Sequence, residues 1–240
     1  MSQATSQNGR QAALQQAIAT IENGQFIATL TRRVAFASES QNPSASAELM
    51  TYLTDEIQPT LVKLGFECEI FANPIESCPP LLIAKRMEGE SLPTLLTYGH
   101  GDVTNGQAEL WQEGTHPWKL SQIGEKIYGR GTADNKGQHT INLLALESVL
   151  NAREGKLGYN IKILFEMSEE VGSKGLELFC REQKEALKAD LFLASDGPRL
   201  NAQTPTIFLG SRGVCQFRLR CETGNGARHS GNWGALLPIR

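Results

Sequence analysis

The sequence has no excess of basic charge, no paired cysteines and no long hydrophobic run. Its formal net charge is −3 over 240 residues, which argues against a protein whose main task is gripping nucleic acid, since that needs a basic face. The five cysteines, Cys68, Cys78, Cys180, Cys215 and Cys221, are odd in number, scattered, and form no CxxC pair. They read as reduced thiols of a cytoplasmic protein, mostly core filler, rather than as a disulfide framework or a thiolate metal site. No stretch approaches the roughly 18 continuous apolar residues of a membrane span. The first residues, MSQATSQNGRQAALQQ, carry neither the basic n-region nor the apolar h-region of a secretory signal. There is no internal repeat.

What is present reads as an ordinary globular chain, long enough for one large domain or for one domain and a piece of another. Residues 11–22 show helical spacing of Leu14, Ile18 and Ile21. Residues 45–64 place Leu49, Leu53, Ile57, Leu61 and Leu64 along one side, with Pro59 expected to kink or break that helix. Short apolar runs follow at 66–71, 81–84, 94–98 and 126–128, then a helical pattern at 137–152, a β-branched run at 160–165, a helix at 173–185 and a last run at 190–194. Alternating strands and helices predict an α/β fold, with a mainly parallel mixed sheet flanked by helices. The continuous apolar character of LLTY, IKILF and LFLA suits strands covered on both faces. In residues 207–221, Cys215, Phe217, Leu219 and Cys221 alternate with Gln216, Arg218 and Arg220, which predicts a half-exposed strand and a domain change near Gly213.

The acids and one histidine fall at telling places. His100, Gly101 and Asp102 follow the run TLLTY, Asp134 precedes the helix at 137, Glu169 and Glu170 follow IKILFEM, and Asp196 follows LFLAS. In open α/β sheets, the loops beyond the carboxyl ends of parallel strands form the ligand site. A single acid there is commonly a helix cap, and Asp196 before Gly197-Pro198 could be a turn residue. Together, one imidazole and several carboxylates repel and lose hydration unless a cation compensates. The mixture suits Zn²⁺, with Mn²⁺ or Co²⁺ as alternatives, and suits Ca²⁺ poorly. Two ions sharing one carboxylate would use all the acids.

The motifs HGD at 100–102, GRGTADNKG at 129–137, MSEEVGSKG at 167–175 and SDG at 195–197 resemble those of the M20 metallopeptidases. That family includes carboxypeptidases, carnosinase-type dipeptidases and N-acyl amino acid deacylases. The resemblance implies a zinc-peptidase-like catalytic domain over residues 1–212, followed at 213–240 by the start of an α+β lid and dimerisation domain. It implies that His100 and Asp196 ligate one ion, that Glu170 ligates the other, and that Asp134 bridges the two. It also implies that Asp102 orients the His100 imidazole, that Glu169 is the general base, and that the Asp134–Asn135 peptide is cis. Arg228-His229-Ser230-Gly231 resembles a lid segment whose histidine holds substrate in the partner subunit of a homodimer. His116 reads as a packing or loop histidine and His139 lies at the start of a helix, close in sequence to Asp134; both stay outside the site.

The implied activity is two-metal hydrolysis of amide bonds in dipeptides or small peptides, with N-acyl amino acids as the alternative substrates and no nucleic-acid or membrane partner. The family pattern also calls for a second metal-binding histidine, which nothing after His229 supplies. The chain is therefore expected to be an N-terminal part of the enzyme, inactive or nearly so alone. A truncated metal-binding protein without activity is the other reading.

Overall fold

The computed structural model describes residues 3–197, 199–201, 203–210, 213, 215 and 217–220. The chain divides into two compact units, Met1–Asp196 and Gly197–Arg240. Among the described residues, no helix is long and apolar enough to cross a membrane.

The first unit is organised around β6 (Asn160–Glu166), whose sequence NIKILFE is buried along its whole length. Strand β2 (Leu81–Arg86) flanks β6 on one side, antiparallel, and β1 (Glu67–Phe71) extends that antiparallel edge. On the other side β3 (Thr94–His100) and then β7 (Leu191–Ala194) run parallel to β6, giving the order β1-β2-β6-β3-β7. The sheet is thus mixed, and the expected parallel part is β6, β3 and β7. A separate hairpin pairs β4 (Ser121–Ile123) with β5 (Lys126–Tyr128).

Alternation along the strands sends side chains to two cores. Ile161, Ile163 and Phe165 join Leu82 and Ala84 on one face, against Leu53, Ile57, Leu61 and the Leu143 and Leu150 of α5 (Lys136–Ala152). Leu164, Leu81 and Ile83 point the other way, onto Phe179 of α6 (Leu176–Glu182) and Leu187 of α7 (Lys184–Leu187). The expectation that LFLA is covered on both faces fails. Leu191, Phe192 and Leu193 are 63%, 60% and 53% exposed, because β7 is an edge strand and no described element packs over it.

Two helices at the start, α1 (Gln3–Glu22) and α2 (Gln25–Ala35), pack beside α5. The apolar spacing on α1 does not mark a buried face: Leu14, Ile18 and Ile21 are exposed, while Ala12, Ala13, Ala17 and Thr20 are among its partly buried positions. Residues 46–63 remain helical through Pro59. Helix α3 (Ser46–Thr51) passes into a π-helical stretch, Tyr52–Ile57, and then into α4 (Gln58–Lys63), where Pro59 occupies the first turn. The wider register, with Gln58 N–H donating to Leu53 O, absorbs a residue that cannot donate from its own nitrogen.

In the second unit, none of the described residues of 207–221 lies in a strand, contrary to the alternation pattern. An alternating segment becomes a strand only with a ladder partner, and none stands among the described residues.

Candidate metal centre

The three parallel strands end on one rim. Register pairs His100 with Glu166 and Tyr98 with Ala194. The loops that leave β3, β6 and β7 carry His100 to Asp102, Glu169 with Glu170, and Asp196. The loop before α5 brings Asp134 to the same rim.

There, one ligand atom each from His100, Asp134 and Asp196 lies within 4.8 Å of the others. His100 is fully buried, and its Nε2 is 2.9 Å from Asp134 Oδ1 and 3.8 Å from Asp196 Oδ2. Its Nδ1 faces the carbonyl oxygen of Asp102 at 3.0 Å and the Asp102 carboxylate at 3.3 Å. Burial opposes charge on this imidazole. Hydrogen bonds to Asp102 and Asp134, with the nearby charges of Asp102 and Asp196, outweigh it and push the pKa up to about 11. With Nδ1–H committed to oxygen acceptors, Nε2 is the atom left to ligate, as outer partners commonly arrange for a metal-binding histidine. One imidazole nitrogen and two carboxylates facing a common point could hold a divalent metal.

Glu169 Oε2 lies 4.0 Å from His100 Nε2. Its carboxyl is raised above the usual range by burial, and the charges of Asp196, Glu170 and Asp102 add to this against the opposing pull of His100. Glu170 is outside the tight three-residue group but close enough that Asp134 adds to burial in raising its pKa. Asp102 does more than face the imidazole. Its two carboxylate oxygens accept the backbone N–H groups of Glu169 and Glu170, each at 3.1 Å, so one buried side chain ties the histidine loop to the glutamate loop.

Residues that the sequence reading did not single out build the floor of the site. Glu166 is buried and accepts hydroxyl groups from Tyr98 at 2.6 Å, Ser173 at 2.9 Å and Ser168 at 3.1 Å, closing the base of the loop that carries Glu169 and Glu170. Lys136 is buried and donates to the carbonyl oxygens of Arg33 and Phe36. Gly101 lies so close to the core that a Cβ there would come within 2.6 Å of the Tyr52 ring. The Asp134–Asn135 peptide is cis, as the resemblance implies. Asn135 touches the His100, Ser195 and Asp196 segments, and His139 bonds to it from one helical turn later. That i, i+4 spacing behind Asp134 was the available sequence signal for His139. His116 sits in a turn, accepting from Trp118 N–H. His229 lies outside the described residues.

Sequence comparison matches the profile of peptidase family M20/M25/M40 to residues 96–227, more than half of the chain. The Beta-Ala-His dipeptidase of Mus musculus is 29% identical over 230 residues, covering 90% of this chain and 46% of the relative. The cysteinylglycine-S-conjugate dipeptidase of Corynebacterium striatum is 32% identical over 166 residues, covering 68% and 35%. Human carnosine dipeptidase 1 superposes with a TM-score of 0.67 at 30% identity, over 77% of this chain and 41% of that structure. The di-peptidase Dug1p of Saccharomyces cerevisiae, at 23% identity, shares the fold with a TM-score of 0.72 over 81% of this chain and 42% of its own. The chain thus spans less than half the length of these relatives. The order of the motifs, the rim they share and the matched profile agree: the chain belongs to peptidase family M20/M25/M40.

Proposed function

We propose that this chain supplies the catalytic metal-binding part of a dipeptidase that hydrolyses amide bonds with two divalent ions, Zn²⁺ by preference. The observation that carries the reading is the convergence of His100, Asp134 and Asp196 within 4.8 Å, with Glu169 beside them. His100 and Asp196 would hold one ion, Glu170 the other, and Asp134 both. When bound, such ions supply Lewis acidity, polarising an amide carbonyl and making water acidic enough to lose a proton near neutral pH. Glu169 takes that proton as general base and returns it to the leaving amine. A carboxyl raised by burial is suited to both halves of this exchange. Asp102 holds the histidine and the two glutamates in mutual register.

Dipeptides are preferred to N-acyl amino acids on the strength of the similar proteins, which are dipeptidases by name. His229 is a proposed substrate contact in a homodimer, supported by the Arg228-His229-Ser230-Gly231 resemblance. A cytoplasmic setting suits the four described cysteines, which are free thiols.

The test begins by titrating the metal-free chain with Zn²⁺, Mn²⁺ and Co²⁺, then assays a longer version, extended to the length of the relatives, on dipeptides and N-acetyl amino acids. His100→Ala and Asp196→Asn should lose metal. In the longer version, Glu169→Ala should keep its metal and lose turnover by about 10²-fold or more. A Glu169→Ala protein as active as wild type sinks the general-base assignment. A wild-type chain that takes up no divalent ion sinks the site itself.

A further inference from the structure

We propose that His139, together with Tyr52, is a positioning residue of the metal centre, acting through Asn135 on Asp196 and His100. The inference rests on the metal-site reading given above and extends it to a histidine buried behind the rim.

Asn135 is fully buried, and backbone groups dictate how its amide is turned. The His100 N–H, at 3.4 Å, needs an oxygen, and the Ser195 carbonyl, at 3.0 Å, needs an N–H. Only Oδ1 toward His100 and Nδ2 toward Ser195 satisfies both. Nδ2 then also meets Asp196 Oδ1 at 3.3 Å, so Oδ2 is the oxygen turned to His100 Nε2. One amide therefore selects which oxygen of Asp196 faces the cluster.

The next link is equally constrained. His139 Nδ1 lies 3.3 Å from Asn135 Oδ1, an acceptor, so Nδ1 must carry the proton. Nε2 is then bare and accepts the Tyr52 hydroxyl at 2.6 Å. Tyr52 is itself pinned, edge-on to Phe36 at 5.4 Å and with Lys136 Nζ 4.7 Å from its ring centre. The polar chain runs in one direction, from Tyr52 O–H to His139, from His139 N–H to Asn135, and from Asn135 N–H to Asp196. A histidine wanted only for packing between Tyr52 and Phe165 would not need this ordered sequence of donors.

The test uses the full 240-residue chain. Nitrogen NMR shifts of His139 in the metal-free protein should show Nδ1 protonated and Nε2 bare; the opposite tautomer overturns the proposal. The Tyr52→Phe/His139→Leu double variant removes both buried partners together and so should keep its fold. It should bind Zn²⁺ or Co²⁺ about 10- to 100-fold more weakly, with an altered Co²⁺ absorption spectrum. In the Tyr52→Phe background, His139→Asn puts an amide nitrogen where Nδ1 stood and should recover most of the loss. Equal metal affinity in all three proteins overturns the proposal, as does equal loss in the Leu and Asn variants. If the double variant does not fold, Tyr52→Phe alone decides: unchanged affinity and spectrum overturn the proposal, and a weakened site supports it. If the wild type binds no metal, the metal reading falls separately. The tautomer, and the exchange protection of the Asn135 side-chain amide with its loss in the double variant, then decide the positioning role.

Discussion

His100 stands between two demands. Without an ion, its imidazolium compensates the carboxylates of Asp102, Asp134 and Asp196, which is why its pKa is pushed up to about 11. A metal on Nε2 must take the place of the proton there. The sign follows directly: below the raised pKa the metal-free site holds a proton that binding releases, so affinity rises with pH. We expect release of about one proton per ion from this histidine, and apparent affinity that tightens up to tenfold per pH unit around neutrality. Calorimetry in buffers of different ionisation enthalpy measures the proton count directly. A pH-independent affinity with no proton released would overturn the protonated state of His100 in the metal-free site. At this scale the residues brought to the rim were legible, because His100, Asp134, Glu169, Glu170 and Asp196 all sit where an apolar run ends or a helix begins. Asn135, His139 and Glu166 were not, because their roles depend on partners such as Tyr52 and Tyr98, which lie 87 and 68 positions away.

Elements place those residues through a few tight contacts. The first turn of α5 runs directly beneath the loop that carries Asp134, and Gly137 makes the approach feasible, since a Cβ there would collide with the Thr132 backbone carbonyl. Gly137 N–H also bonds to Gly131 O, so the loop and the helix start are fastened together. Gly137→Ala must therefore move the backbone between Thr132 and Asn135. We expect about 1–3 kcal/mol of destabilisation from the steric conflict, together with weaker metal binding. Denaturant unfolding and metal titration read the two effects. Unchanged affinity would mean that the Asp134 loop is not set by this contact. Strand positions were readable because continuous apolar runs bounded by turns need little context. The α2 segment was not assigned, because its buried stripe mixes Leu30 and Val34 with Thr29 and Arg33. Arg33 is acceptable inside only because Glu56 and Thr140 receive its N–H groups. Pro59 misled for a similar reason, since the neighbouring π-helical turn accommodates it.

On the scale of the whole unit, the candidate metal site and the sheet edge are neighbours, since Asp196 lies two residues beyond β7. Among the described residues, strand β7 pairs with β3 alone, and its exposed Leu191, Phe192 and Leu193 contribute little burial energy. The fold class could be read from the order of strands and helices, but the weakness of this edge could not, because an apolar sequence does not reveal which strand will lack a cover. An ion held by both His100 and Asp196 would join the ends of β3 and β7 directly, adding a tie where the ladder is least supported. Binding to the folded state stabilises it by about 2.7 kcal/mol at a ligand concentration 100 times the dissociation constant. Opening of an edge strand is a local event that such a tie suppresses most strongly. We expect that Zn²⁺ or Co²⁺ will raise Tm by several degrees and slow amide hydrogen exchange in residues 191–194 more than in β1, the opposite edge of the sheet. Chelation should reverse both changes, and Asp196→Asn should show neither. Uniform slowing across both edges, or protection of β7 that persists in Asp196→Asn, would locate the ion away from the β3–β7 junction.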